Sequence, residues 1–219
     1  MYHYYSDGKR HLPGLLTDQA HMIKCLIDAY QSTFDRKFLN YAETIAKFMI
    51  KKLWDDTGGF YDRPKDTETL GALKTLYKPI DENSVAADAL LRLYYLTGNE
   101  RYLEISKRTL EHFSSSYQMY GIMAASYGSA IELYLNPVQI HIVGSKKDPL
   151  TRRFMNESLK VFNPLKVIEH LDPAHDAERL TRLQYPATRK TIAYVCIKGT
   201  CITVENPTEI AELLGPKIL

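Results

Sequence analysis

Two pairs of side chains in this sequence have types and spacing that could do chemistry. The first is a pair of carboxylates, Asp18 and Glu82, which open two related segments: Asp18-Gln19 aligns with Glu82-Asn83. Carboxylates paired in a cleft can act as general acid and general base on a sugar. Asp55, Asp56, Asp62 and Asp81 add acid nearby in the chain, and Trp54, Phe60 and Tyr61 offer faces on which a sugar ring could stack. Trp54, Tyr61, Asp62, Asp81 and Asn83 are therefore the candidate substrate-binding residues, with Asp18 and Glu82 as the candidate catalytic pair. A structural account stands beside the catalytic one. Helix N-caps and the helix dipole select acidic residues at such positions in any helix, and aromatics beside Gly58-Gly59 also serve to anchor a loop.

The second pair is Cys196 and Cys201, which flank Ile197-Lys-Gly-Thr200. If Lys198-Gly199 is a two-residue hairpin loop, Cys196 opposes Cys201 as a non-hydrogen-bonded pair. Cα atoms approach most closely at such pairs, within disulfide reach. Two free thiols are the expectation in a reducing cytosol, with a reversible disulfide as the sharper alternative. Cys25 falls among helix residues and is expected to be buried. His21 and His141 are possible acid–base groups; His21 lies three residues after Asp18, and His141 falls mid-strand, where packing is its simpler role. No His-x-x-His or comparable spacing suggests a metal, and no cofactor is expected. Gly144-Ser-Lys-Lys147 could meet phosphate through amides and lysines, but it lacks a nucleotide-binding glycine pattern and reads equally as an exposed loop.

The elements that must position these groups come from a repeat. Leu26, Tyr30, Thr33 and Leu39 return as Leu90, Tyr94, Thr97 and Leu103, with Lys37-Phe38 replaced by Arg101-Tyr102. Such self-similarity means one supersecondary unit used more than once. Here it is a pair of helices about a short turn. Ala20, Ile23, Ile27 and Tyr30 fall at helical spacing behind Thr17 or Asp18 as cap; Phe38, Ala42, Ile45, Met49 and Leu53 follow behind Asp35. In the second copy Asn83 or Ser84 caps a helix carrying Val85, Ala89, Leu93 and Leu96. The next helix carries Leu103, Ser106, Leu110, Phe113 and Tyr117. A fifth, Ile122 to Leu135, has one charge and many small residues, which predicts burial nearly all round. The turns near Thr33 and Thr97 are short and the link from Trp54 to Asp81 is long. That alternation puts the long link, Asp18 and Glu82 at one end of the helical layer. Long links inside compact domains usually carry function.

After Asn136-Pro137 the period changes. Val138 to Val143 alternates as a strand, Asp148-Pro149 opens a helix to about Val161, and Leu165 to Leu171 is a second strand. Thr191 to Ile197 and Thr200 to Val204 form the hairpin, and Asn206-Pro207 leads into a last helix. The expected organisation is a helical region, 1–136, and a small α/β tail, 137–219.

Composition narrows the function classes. The chain has 219 residues, 45% hydrophobic and 25% charged, with a net charge of +2. That balance, without a basic stripe, argues against nucleic acid. No apolar run reaches membrane-spanning length, and Met1-Tyr-His-Tyr-Tyr-Ser-Asp7 has no signal-peptide pattern, so a cytoplasmic protein is expected. Three cysteines are too few for a disulfide scaffold. Sixteen tyrosines could line a sugar cleft or pack at helix surfaces.

Four segments together resemble one family: Leu73-Lys-Thr-Leu-Tyr-Lys-Pro-Ile-Asp-Glu-Asn-Ser-Val-Ala-Ala-Asp-Ala-Leu-Leu-Arg-Leu-Tyr-Tyr-Leu-Thr-Gly98, Gly14-Leu-Leu-Thr-Asp-Gln-Ala20, Gly121-Ile-Met-Ala-Ala-Ser-Tyr127 and Ala193-Tyr-Val-Cys-Ile-Lys-Gly-Thr-Cys201. The family is the conserved uncharacterised one whose full-length members join an N-terminal thioredoxin-like domain to an (α/α) toroid, and which includes mammalian spermatogenesis-associated proteins. Its toroid is similar to N-acylglucosamine 2-epimerases and six-hairpin glycosidases. The resemblance implies a mainly α fold: a partial (α/α) toroid of antiparallel helical hairpins, followed by the small α/β unit, with a carbohydrate-type cleft. Many members read Pro-Ser-Gly-Asn-Ser where this chain reads Pro79-Ile-Asp-Glu-Asn-Ser84. The match takes in only the C-terminal part of the family, without its redox domain and with too few hairpins to close a ring. Two functions are therefore expected to compete. One is a non-catalytic interaction or scaffold module, homo-oligomeric or completed by a missing toroid half. The other is a carbohydrate-active enzyme of the epimerase, isomerase or glycosidase type using the cleft carboxylates.

Overall fold

A computed structural model describes residues 1–65, 71–186 and 190–215; the middle of the long link therefore lies outside the described residues. The fold is mainly α, with two small sheets. The chain divides into two compact units. The first comprises Met1–Tyr30 and Asp35–Tyr134, the second Gln31–Phe34 and Leu135–Leu219. No helix among the described residues is long and apolar enough to cross a membrane.

The first unit opens with an antiparallel hairpin, β1 (Tyr2–Ser6) and β2 (Lys9–Pro13), in register from Tyr2↔Pro13 to Ser6↔Lys9. Helices α1 (Leu16–Thr33), α2 (Arg36–Leu53), α3 (Ile80–Thr97), α4 (Glu100–Phe113) and α5 (Ala125–Leu135) follow. Local chemistry sets the short turns. Asp35 caps α2 by accepting from the Lys37 amide at 3.1 Å, and Asn99 caps α4 through the Arg101 amide at 3.1 Å. Gly98 closes α3 in the left-handed conformation, φ 69°, that glycine adopts without penalty. The buried stripe of α2 (Leu39, Ala42, Ala46, Met49, Ile50, Leu53) and that of α4 (Tyr102, Ile105, Ser106, Thr109, Leu110, Phe113) keep helical spacing.

Two expectations about these helices are corrected. The helix buried on every side is α3, not the fifth: Ala86, Ala87, Ala89, Leu90 and Leu91 are inaccessible, and Asp88 is buried in ion pairs with Arg92 and Lys24, each at 2.9 Å. Three alanines leave α3 slim enough for neighbours to close round it. In the fifth, Gly121 adopts φ 53°, ψ −126° and breaks the helical run. Residues Tyr117–Ala124 form a 3-10 segment with no buried side chain, and α5 buries only Tyr127, Ala130 and Leu133. Nor do Asn83 and Ser84 cap α3. The helix starts earlier, after Pro79, so both lie inside it.

The second unit is a four-stranded sheet of order β4-β3-β5-β6, built from β3 (Val138–Val143), β4 (Lys166–Leu171), β5 (Ile192–Ile197) and β6 (Thr200–Val204). β3 and β4 are parallel; β5 is antiparallel to both its neighbours. The parallel pair needs a crossover, supplied by α6 (Pro149–Lys160), whose cap Asp148 accepts from the Leu150 amide. α7 (Ala177–Arg182) and α8 (Glu209–Leu214) complete the unit. Strand alternation sorts the side chains onto two faces. Ile140, Ile142, Ile168, Ala193 and Val195 pack with Phe154 of α6 and Ile210 of α8. Val143, Leu171, Ile192, Tyr194 and Cys196 pack with Leu180 of α7.

Candidate functional site

The acidic candidates gather where α1 and α3 begin. The Glu82 carboxylate accepts a hydrogen bond from the Thr17 amide, so it caps the first turn of α1 rather than of its own helix. Burial, followed by the charges of Asp81, Asp62 and Asp18, pushes its pKa from the ordinary 4.5 to about 7. A dipole-stabilised cap would shift it the other way. A carboxyl that titrates near neutrality beside other carboxylates is the environment of a general acid or base.

The raised value carries a sign. Between about pH 4.5 and pH 7 the folded chain holds the Glu82 proton after the unfolded chain has lost it. Stability therefore falls as pH rises through that window. Glu82→Gln escapes this loss, so its stability relative to wild type should grow by on the order of 1–2 kcal/mol from pH 4.5 to pH 8, after discounting for solvent screening. Urea midpoints across that range would check it, and parallel curves for the two proteins would contradict it.

The other acidic candidates are tied. Asp18 faces His3 Nδ1 at 3.1 Å from both carboxylate oxygens; His21, the histidine expected near it, is exposed. Asp62 accepts from the Tyr77 amide at 3.1 Å and pairs with Arg63. Asp55 binds Lys78 Nζ at 2.5 Å, and that bond, with one from Thr57, holds its carboxyl down to about 2. Asp56 is exposed, with its backbone carbonyl accepting from Arg108.

The aromatic and amide candidates have structural partners. Trp54 bridges Phe60 by backbone pairing, meets its ring edge-on at 5.1 Å, and lies under the Arg108 guanidinium. Tyr61 has Lys65 and Lys78 over its ring, each at 5.2 Å from the centroid. Asn83 is completely buried. Its Oδ1 accepts from the Phe60 amide at 2.6 Å, and its Nδ2 donates to the carbonyls of Phe60 (3.0 Å) and Pro79 (2.8 Å). It clamps the glycine loop to α3 and is spent in doing so. Gly58 and Gly59, at φ 97° and 79°, make the close approach possible, since a Cβ on Gly58 would lie 2.8 Å from the Arg108 carbonyl.

In the second unit Cys196 and Cys201 form a disulfide, as a register pair one step beyond Ile197↔Thr200. The hairpin register read from Lys198-Gly199 is therefore observed, and the expectation of two free thiols is corrected. The Cα atoms of the two cysteines lie 4.0 Å apart, the close approach of a non-hydrogen-bonded pair. Cys25, expected to be buried, is exposed on α1. In Gly144-Ser-Lys-Lys147, Lys146 Nζ is bound to the Phe34 carbonyl at 2.9 Å. Among the described residues no group of three or more His, Cys, Asp or Glu is arranged to hold a metal.

One further surface was not legible as a site. A groove of about 600 Å³ runs beside the 3-10 segment, lined by Tyr117, Ile122, Ala125, Tyr127 and Gly128. Met119 and Ile122 stand 81% and 89% exposed next to it.

No family model matches the chain. It is similar to spermatogenesis-associated protein 20 of Homo sapiens, 27% identical over 221 residues, covering 93% of this chain and 27% of that protein. The proteins of the same name from Rattus norvegicus and Mus musculus are each 25% identical, over 92% of this chain and 27% of their own length. The chain thus spans about a quarter of the length of the curated relatives it matches.

Proposed function

We propose that the helical unit is a non-catalytic interaction module of a thioredoxin-plus-toroid type of protein, working as a partial (α/α) toroid that associates through its uncovered face. The observation that carries this reading is the segment Tyr117–Ala124, which buries none of its side chains although it is rich in large apolar residues. Apolar surface of this kind on one patch marks an interface. The occupant is a second copy of the chain. Met119 and Ile122 project beside an apolar groove on the same surface, and a two-fold contact needs a knob and a hole on one self-complementary patch. Sedimentation of the wild type at micromolar concentration should give a dimer whose melting temperature rises with protein concentration, and Ile122→Asp a folded monomer whose melting temperature does not. A wild type that stays monomeric defeats the reading.

A second reading, a carbohydrate-active site of the epimerase, isomerase or glycosidase type, has its own support in the raised Glu82 carboxyl beside Asp18. There Glu82 acts as the general acid or base and Asp18 as its partner. A thermal-shift screen with sugars tests it, because a ligand of the folded form raises the melting temperature. A flat response across the library argues against a sugar site.

A further inference from the structure

The sheet face toward α7 carries a line of polar groups that the packing does not require. His141, Glu169 and Tyr194 share register, His141 pairing with Glu169 across β3–β4 and with Tyr194 across β3–β5. Glu169 is 2% exposed and takes a bidentate hydrogen bond from Arg179 of α7, with Nε and Nη2 each at 3.0 Å. Its Oε2 faces His141 Nε2 at 3.5 Å, and His141 Nδ1 meets the Tyr185 hydroxyl at 2.5 Å. Tyr185, after α7, stacks on Tyr194 with centroids 3.8 Å apart. Its hydroxyl oxygen lies 3.4 Å from Cys196 Sγ and 3.9 Å from Cys201 Sγ.

The proton positions follow from the acceptors. Nε2 faces a carboxylate and so carries the imidazole proton, which leaves Nδ1 to accept from the Tyr185 hydroxyl. Burial, with Arg179 next, holds the His141 pKa down to about 3, so the ring stays neutral although Glu169 is near; the guanidinium already holds that carboxylate. Burial and the Glu169 charge push Tyr185 above the usual phenol range, which keeps its hydroxyl a donor. Among the described residues, the ionisable groups acting on Tyr185 are His141 from β3, Glu169 from β4, Arg179 from α7 and Tyr194 from β5.

We propose that Cys196–Cys201 is a redox-active pair that accepts two electrons from an exogenous dithiol, with Tyr185 as the hydrogen-bond donor to the Cys196 sulfur. Cys201 is exposed and Cys196 is buried, so attack falls on Cys201. A thiolate of the dithiol forms a bond to Cys201 Sγ. The Cys196–Cys201 bond breaks, and its electron pair leaves on Cys196 Sγ, where the Tyr185 hydroxyl turns from His141 Nδ1 to bind it. The second thiolate of the dithiol then attacks its own sulfur in the mixed disulfide. That closes a disulfide in the reagent and leaves the electron pair on Cys201 Sγ. Two protons lost to water by the dithiol balance the two taken up by the cysteine thiolates. Run backwards, the exposed Cys201 thiolate attacks a substrate disulfide, and the Cys196 thiolate, held by Tyr185, then attacks Cys201 Sγ in the mixed disulfide and releases the reduced substrate. His141, Glu169 and Arg179 are positioning residues, since they act only through the Tyr185 ring and hydroxyl.

The test uses the full chain with dithiothreitol as the dithiol, acid quenching, and thiol counting by mass after alkylation. The folded wild type should be reduced completely. In the reduced protein the pH midpoint for labelling Cys196 should lie at least about one unit below the ordinary thiol value of about 8.5. Tyr185→Phe, which keeps the stack on Tyr194 but leaves the buried His141 Nδ1 without its donor, should slow reduction about tenfold and return that midpoint to about 8.5 or above, with the oxidised protein still folded and melting a few degrees lower. Resistance to reduction until the chain is unfolded in urea would overturn the proposal. So would a labelling midpoint at or above the ordinary value in the wild type, a result that needs no variant to fold. Identical rates and pH profiles for Tyr185→Phe and wild type would overturn the role of the hydroxyl.

Discussion

Asn83→Ala is expected to lower the melting temperature by about 10 °C, although it removes only a small polar side chain from a helix interior. Asn83 satisfies both the amide and the carbonyl of Phe60, inside a region where neither can reach water. Each buried group left unpaired costs about 1–3 kcal/mol, so about 3–4 kcal/mol is lost in all. Asn83→Asp sharpens the test. It keeps the shape but replaces the two donors with a carboxylate that faces the carbonyls of Phe60 and Pro79 and stands beside Asp81 and Glu82. At neutral pH it should be at least as damaging as alanine. Thermal melts of both variants separate the clamp from a ligand-binding role, because a ligand-binding asparagine in an open cleft could be removed with little change in melting temperature.

This residue shows where sequence reasoning stops. Asn83 is polar, next to two acids and aligned with Gln19, so by type it reads as a ligand residue or a helix cap. Its role depends on the loop at Gly58-Gly59 folding back onto α3, a contact that no local pattern encodes. The helices themselves were legible, because apolar spacing and a cap such as Asp35 are local. The fifth helix was misread for a related reason. Small and apolar residues predict burial only if a neighbour arrives to cover them, and around Met119 and Ile122 none does within this unit. The N-terminal hairpin has its own local signal: Asp7-Gly8, after the tyrosine-rich run Tyr2-His-Tyr-Tyr5, is a two-residue turn dipeptide, and both residues have positive φ.

The tail divides in the same way. Period-two alternation over Val138 to Val143 and the Lys198-Gly199 turn carried the strands and the Cys196↔Cys201 register. The redox state of that pair was inferred from an assumed compartment, which is no property of the residues, and the inference went wrong. Tyr185, Glu169 and Arg179 were not singled out at all. They come from a loop, a strand and a helix, and meet only because β3 lies between β4 and β5. The usable signal was Glu169 itself, a charged residue in the middle of the otherwise buried run Val167-Ile-Glu-His-Leu171, since a strand closed in on both faces does not keep a carboxylate without a partner.

Arg179→Met is the substitution that tests that partnership. Glu169 is buried to 2% exposure, and the guanidinium that meets both its oxygens comes from α7, whose buried residue is Leu180. Removing one member of a buried ion pair costs about 3–5 kcal/mol, because the charge left behind has been taken out of water and loses its counter-charge. The melting temperature should fall by about 10 °C or more. Replacing both partners is a different matter. In the double variant Arg179→Met with Glu169→Gln no charge remains, the amide oxygen can still accept from His141 Nε2, and most of the lost stability should return. The same double variant separates architecture from redox chemistry. If His141 needs only a neutral acceptor to hold Tyr185 against the Cys196 sulfur, the double variant keeps the wild-type rate of reduction by dithiothreitol while the single variant does not. Equal losses of stability in the single and double variants would mean that the methionine's fit against the sheet, rather than the uncompensated carboxylate, sets the cost.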